Sequence, residues 1–375
     1  MRLCFVINRI LSGGAQNTLK SVAEGISNKG NKIDILAFEK KNKKDVNFEK
    51  KIKVNYLNKR KINSDIINFF LFIFFMIKEY KKFDYIISTG DAQTIIICRL
   101  VCLIFRKKHI PWIQFHYKTS KPKNIFNQII WYSFFKFCNY LDHKVITCSK
   151  YIDKAYVKNF GWKNTKVILQ CINPKFIDNC IDLNFIKKIK KKNKNTKIIL
   201  APGRIDKDKN HLTILKAINL LVKKREDFIL IIHGEKGNNY NIILDYIVKN
   251  KLDKFVIIVD LIRLNEFINW LVLSDLVILN SIQEPIGTIA FENMYLKTNF
   301  LISYQTGWKE IITNKKFPNV ILNPYNEQEI FNKIKKILKK PLSKTLKSSY
   351  HEFILKYKDN NISEKWIQFI KQTSK

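Results

Sequence analysis

Long hydrophobic runs are missing from this 375-residue sequence. The two most apolar stretches, residues 66–77 and 94–105, are each about twelve residues long, short of the ~20 that a membrane-spanning helix needs. Both read as buried helices beside a sheet. The opening MRLCFVINRI has a short apolar run and no cleavage-site pattern, so it reads as a first buried strand and not as a signal peptide. Metal-ligand spacing is missing too. The six histidines include no His-Glu-x-x-His arrangement, and the seven cysteines (Cys4, Cys98, Cys102, Cys138, Cys148, Cys171 and Cys180) form no Cys-x-x-Cys pair. No protein-built metal site is expected, and the thiols read as reduced, buried groups of a cytoplasmic protein. Short-period repeats are absent as well.

Negative charge is scarce. Asp and Glu number 31 against 68 Lys and Arg, a net charge of +37. Such an excess suits the phosphates of a nucleic acid or the headgroups of anionic lipid. It also suits codon bias in an AT-rich genome, which raises Lys, Asn and Ile together. The acidic motifs described below speak against nucleic acid as the main partner. Hydrophobic residues make up 46% and charged residues 26%, which supports packed cores over disorder. At roughly 150 residues per domain, the length allows two or three domains.

What is present is an alternation. An apolar strand at 3–7 is followed by the loop Ser12-Gly13-Gly14. Ala15, Leu19, Val22, Ala23 and Ile26 then recur at helical spacing before a second strand at 33–38. Further strands are expected at 85–88, 112–115 and 144–148, with Ser149 as an N-cap after the last. The Lys/Asn-rich stretch 181–197 reads as a linker between a domain over 1–180 and a domain over 198–350. The second half alternates again, with strands at 198–201, 228–232, 255–259, 276–279, 300–302 and 320–322. Buried strands separated by amphipathic helices mean parallel sheets covered on both faces. Ligands of such sheets bind beyond the carboxyl ends of the strands, and two such domains place them in the crevice between.

Two constellations lie at such strand ends. After the strand at 276–279 comes Glu284-Pro285-Ile286-Gly287-Thr288, with Glu292 one turn further on. Gly287 and Thr288 fall at a helix N-terminus, where amide groups and the dipole favour an anion such as phosphate. Glu284 and Glu292 can each accept two hydroxyl hydrogen bonds from a sugar or ribose. A capped helix with an N-terminal acid is the plainer reading. After the strand at 198–201 comes Gly203-Arg204-Ile205-Asp206-Lys207-Asp208-Lys209-Asn210. An Arg fork and a Lys point charge there suit a diphosphate.

In this order, and about 80 residues apart, the two constellations resemble those of the group-1 (family four) retaining glycosyltransferases. Glu284 and Glu292 match the Glu-x7-Glu marker in its Glu-Pro-x-Gly setting. Gly203-Arg204 and Lys209-Asn210 match the Gly-Arg and Lys-Asn pair, Gly13-Gly14-Ala15 the amino-terminal turn, and His116 a histidine after an N-domain strand. Ser149 and Asn173 fall where the family has a Ser and an Asn-Gly. Departures are Asn173-Pro174 for Asn-Gly, Gly234-Glu235-Lys236-Gly237 for Gly-x-Gly, Asp260 and Lys297 at positions where glycine is common, and Thr306-Gly307 for Gly-Gly. They bear on loop shape and leave the charged donor residues in place.

The resemblance implies an α/β, GT-B fold: two facing Rossmann-like domains with parallel sheets and an interdomain cleft, the final segment 351–375 packing back on the first domain. It implies sugar transfer from a nucleotide sugar, a UDP-sugar, with retention of configuration and without a metal. The transferred unit would be a hexosyl or N-acetylhexosaminyl group. Arg204 and Lys209 would bind the diphosphate with Gly287 and Thr288, Glu292 the ribose and Glu284 the donor sugar. Gly13 and Gly14 would let backbone approach the donor, and His116 would sit at the reacting carbon. No cofactor is expected beyond the nucleotide-sugar co-substrate. The expected acceptor is a glycan or a polyprenyl-linked intermediate of bacterial surface polysaccharide (lipopolysaccharide or capsule), worked on by a cytoplasmic protein held peripherally on an anionic membrane surface through residues 40–61 and the short apolar runs. A non-catalytic GT-B-like partner subunit at the membrane is the alternative from another class, and a basic nucleic-acid binder a weaker one.

Overall fold

The computed structural model describes residues 1–11, 13–39, 42, 45–58, 64–118, 124–141, 144–311 and 317–372. Residues 40, 41, 43, 44 and 59–61 of the Lys-rich stretch lie outside the described residues, as does Ser12 of the first glycine loop. The chain forms two compact units, Met1–Cys171 with Tyr357–Lys375, and Ile172–Lys356.

The first unit is built on seven parallel strands: β1 (Arg2–Ile7), β2 (Lys32–Ala37), β3 (Lys53–Tyr56), β4 (Tyr85–Thr89), β5 (His109–Ile113), β6 (Val145–Thr147) and β7 (Thr165–Val167). Their order is β3-β2-β1-β4-β5-β6-β7. Leu3 to Ile7 of β1 are buried on both faces because helices cover both sides of the sheet. One cover is the helix Gly14–Asn28, which turns Leu19, Val22, Ala23 and Ile26 inward. Beside it lies the helix Asp359–Gln372, contributed by the far end of the chain. Its Ile362, Trp366, Phe369 and Ile370 are buried at helical spacing. Trp366 meets Trp112 edge-on at 4.7 Å and Phe5 at 6.0 Å. The other cover is made by the helices Asp65–Glu79 and Ala92–Ile104, whose Phe72, Met76, Cys98 and Val101 pack on Cys4, Val6 and Ile86.

The second unit repeats the plan with six parallel strands: β8 (Lys197–Pro202), β9 (Phe228–His233), β10 (Val256–Val259), β11 (Leu276–Leu279), β12 (Phe300–Ser303) and β13 (Val320–Ile321), in the order β10-β9-β8-β11-β12-β13. The helix His211–Val222 buries Ile214, Leu215, Ile218 and Leu221 on this sheet. Residues 181–197 are not bare chain: they hold the helix Leu183–Lys192, whose N-cap Asp182 accepts hydrogen bonds from the amides of Asn184 and Phe185 at 3.0 Å each.

Both sheets start in the middle, build outward to one side, and then return to build the other. The strand order therefore reverses between β1 and β4 and again between β8 and β11. Connections leaving those neighbours go to opposite faces, and a crevice opens at their carboxyl ends.

Candidate functional site

In the second unit, both constellations lie at the reversal. The chain leaves β8 through Gly203, whose amide donates to the His233 carbonyl at 2.8 Å. Arg204 is more than half exposed, and its Nε is ion-paired with Asp206. Asp206 in turn accepts the amide of Asn238 at 2.9 Å. Asn210, in the left-handed region at φ 54°, is buried. Its side chain donates to the Pro324 carbonyl at 2.6 Å and accepts from the Thr213 hydroxyl at 2.7 Å. Asn210 thus holds the loop in shape.

The loop after β11 is fastened to the same point, because Asn280 donates to that Pro324 carbonyl at 2.9 Å. The Ile282 amide donates to the Asp208 carbonyl at 2.8 Å. Lys209 Nζ is ion-paired with Glu284 Oε2, which also accepts from the Ser281 hydroxyl at 3.0 Å. Groups 75 residues apart in sequence are thereby in contact. Both are partly exposed, so a ligand can reach them. A lysine and a carboxylate that neutralise each other are available in pairs to an anionic, hydroxyl-rich ligand, which takes the ammonium on its phosphate and the carboxylate on its hydroxyls.

The helix Thr288–Tyr295 follows, with Gly287 as its N-cap at φ 62°, where a side chain would be strained. A Cβ on Gly287 would also stand 3.2 Å from Glu284 Cγ. Gly307 supports the loop from beneath: a Cβ there would come within 2.0 Å of the Pro285 carbonyl oxygen, and its amide donates to the Glu284 carbonyl at 3.0 Å. Thr288 and Glu292 are both buried. Burial pushes the Glu292 carboxyl up to about 7, and its Oε2 has no hydrogen-bond partner. A buried oxygen left unpartnered is costly unless a donor arrives, and a ribose hydroxyl is such a donor.

Gly13, Gly14 and His116 belong to the first unit. Gly13 is the extended N-cap of the helix that begins at Gly14, at the carboxyl end of β1. His116 lies three residues beyond β5 and is buried, stacked between Tyr117 (ring centroids 4.7 Å apart) and Tyr151 (5.4 Å). Burial, then the charge of Lys118, lower its pKa to about 4, so the ring is neutral at pH 7. Its Nδ1 accepts the Lys118 amide at 3.2 Å, which leaves the proton on Nε2 as a hydrogen-bond donor.

Several residues escape a reading of the sequence. In the first unit a cavity of about 260 Å³ opens at the carboxyl ends of β1, β2 and β4, lined by Asn8, Asp65, Asn68, Asp91, Gln93 and Thr94 among others. Asp91 caps the helix Ala92–Ile104 by accepting the Thr94 amide at 2.8 Å. Burial raises the pKa of Asp91, and that of Asp65 together with the charge of Asp91. The buried Asn68 has an unpartnered Oδ1. Only the Asp91 cap has a sequence signal, an acid between a strand and a helix. Asn173-Pro174 proves to be a helix start, with Asn173 accepting the Phe176 amide at 2.9 Å and Pro174 as the first helical residue. Ser149 likewise caps the helix Lys150–Phe160. Lys297, where glycine is common, takes φ 54°, the conformation that favours glycine.

Residues 182–354 match the family profile described as glycosyl transferases, group 1. No curated protein matches the chain in sequence. Among solved structures, the sucrose-phosphate synthase of Thermosynechococcus elongatus superposes with a TM-score of 0.82 at 15% identity, over 100% of this chain and 99% of that one. HepE of Anabaena in complex with UDP-glucose gives 0.76 at 15% identity, over 99% and 100%. A glycosyltransferase of Rickettsia africae gives 0.75 at 20% identity, over 100% and 98%. At these identities the likeness establishes the fold: two Rossmann-like units of the GT-B class.

Proposed function

We propose, from the premise that residues 182–354 belong to the group 1 glycosyl transferases, that the chain carries a sugar from a UDP-sugar to a glycan or lipid-linked acceptor with retention of configuration. The setting proposed is assembly of bacterial surface polysaccharide on the inner face of the plasma membrane. The observation that carries the reading is the Lys209–Glu284 ion pair, which joins two loops at the point where the strand order reverses. In the proposed complex, Lys209 and Arg204 turn to the diphosphate, and Glu284 is released to the hydroxyls of the donor sugar. Glu292 takes the ribose with its unpartnered oxygen. HepE, of the same fold, is described in complex with UDP-glucose, which supports the choice of donor.

The difficult event is departure of the nucleoside diphosphate from the anomeric carbon. Positive charge fixed beforehand on the leaving group lowers that barrier. Arg204, Lys209 and the amide groups opening the helix at Thr288 would supply it from this chain's own residues. The neutral His116 would donate a hydrogen bond from its Nε2–H to an oxygen of the transferring sugar. The polar cavity of the first unit, with Asp65, Asn68 and Asp91, offers acceptor hydroxyls both donors and acceptors.

Calorimetric titration with UDP, beside initial rates with full donor, tests the assignment. Arg204→Ala should weaken UDP roughly ten- to a hundred-fold, the loss of about 1.5–3 kcal/mol for a charge-assisted contact. Glu284→Ala should bind UDP nearly as the parent does and lose transfer. If Arg204→Ala and Glu292→Ala both bind UDP like the parent, the site is misplaced. Nucleotide binding without turnover on any lipid-linked or free glycan would favour a non-catalytic partner subunit.

A further inference from the structure

The stretch 66–77 reads as a buried helix in sequence, yet the helix Asp65–Glu79 is buried on one side only. Asn68, Phe72 and Met76 face the sheet. Ile66 (71% exposed), Phe70 (53%), Phe74 (62%) and Ile77 (56%) form a stripe on the outside. Their spacing of four, four and three residues keeps them on one face along the whole helix. The helix Ala92–Ile104, packed alongside, exposes Leu100, Leu103 and Ile104. Exposed apolar residues scattered singly are ordinary, but an exposed apolar stripe along a whole helix, beside a packed neighbour that also exposes apolar residues, marks a contact surface.

We infer that this face seats the first unit on an anionic bilayer, lying in its surface and not crossing it. Neither helix can cross: among the described residues none is long and apolar enough. The charge around the patch selects the occupant. Both helices end at the amino edge of the sheet, one running into β4 and the other into β5. There the chain exposes Lys78, Lys81 and Lys82 after the first stripe, and Arg106 and Lys108 after the second. Of the acids nearby, Glu79 is ion-paired with Lys82 at 2.7 Å, and Asp84 accepts the Arg2 amide at 2.8 Å. An apolar strip with a basic rim matches a surface of acyl chains beneath negative headgroups. A second copy of the chain would bring the same basic rim, and a net charge of +37, against its like. The inference deepens the membrane side of the proposed function by naming the face, and it does not depend on the donor chemistry.

Co-sedimentation of the full chain with vesicles of phosphatidylcholine alone, or mixed with phosphatidylglycerol, tests it. The parent should bind the mixed vesicles, and binding should weaken with salt as charges are screened. Phe70→Gln with Phe74→Gln removes two exposed rings and should weaken binding at least ten-fold at low and high salt alike. Lys78→Glu, Lys81→Glu and Lys108→Glu together should abolish the low-salt binding, at ~5-fold for each basic residue lost from the surface. A cooperative thermal transition without ligand confirms that each variant is folded, and the shift of that transition with UDP reads the donor assignment separately. Binding by the Phe70/Phe74 variant equal to the parent's overturns the inference, as does equal binding of the parent to neutral and anionic vesicles. A parent dimer that the Phe variant dissolves, with no vesicle binding by either, would assign the face to self-association instead.

Discussion

Glu292 offers a test that combines stability, pH and ligand binding in one side chain. Burial lifts its carboxyl from an ordinary 4.5 to about 7, which corresponds to about 3 kcal/mol between its two protonation states. The folded value lies above the unfolded one. Stability from this group is therefore complete below about pH 4.5, and it is lost as pH rises through about 7. Glu292→Gln keeps the shape and removes the ionisation. At pH 5 the variant should unfold at nearly the parent's temperature. At pH 8.5 it should be more stable by up to about 3 kcal/mol, or about 6–12 °C in Tm for a unit of this size. UDP should reverse the order. The parent's ionised carboxylate gains a ribose partner, so nucleotide should raise the parent's Tm at pH 8.5 more than the variant's. Binding should also release a proton near pH 6.5, seen as a buffer-dependent calorimetric enthalpy. Thermal unfolding at three pH values with and without UDP measures all of this. If the Gln variant shows the parent's pH slope above 6, the carboxyl does not carry the cost of a buried charge and the reasoning fails.

His116→Ala should cut turnover by a large factor and leave UDP affinity unchanged, and normal turnover would mark it as structural. With its pKa near 4, His116 should add no inflection to the pH–rate profile between about 5.5 and 7.5. His211, buried and likewise lowered to about 4, should make stability fall as pH drops from about 6.5 toward 4, because the unfolded chain takes up the proton first; denaturant unfolding across that range, parent against His211→Gln, measures it. Gly307→Ala should cost about 1–3 kcal/mol by urea unfolding, since its Cβ would press on the Pro285 carbonyl. It should also reduce turnover by shifting Glu284; a variant as stable and active as the parent would show that the loop yields freely.

Much of the architecture could be read from local pattern. Runs such as CFVI at β1 and IILA at β8 carry their burial in their composition, and the helices between them show their inward faces. The Glu284 to Glu292 spacing and the glycine at 287 are legible for the same reason: each is decided within a few consecutive residues of chain. The contact between Lys209 and Glu284 is not. It exists because β8 and β11 are neighbours, and strand order is set by the packing of the whole sheet. The cavity residues Asp65, Asn68 and Asp91 are hidden in the same way, since they come from two helices brought together over β1 and β4. Solvation is the third blind spot. The run at 66–77 is apolar enough to be buried on all sides, and nothing in its letters distinguishes a residue covered by protein from one left outside.

The helix Asp359–Gln372 bears on how the molecule is made. The chain reaches the end of the first unit's strands at residue 167, yet the surface formed by Phe5, Trp112 and the helix Gly14–Asn28 has to wait for Trp366. During synthesis the whole second unit, Ile172–Lys356, emerges in between. The second unit can close as soon as its own residues are out. The first stays open, with an aromatic groove uncovered, for nearly two hundred residues of elongation. The earlier part of the chain is thus the later to finish, and a chain cut short after residue 356 would carry a finished second unit tethered to an unfinished first one.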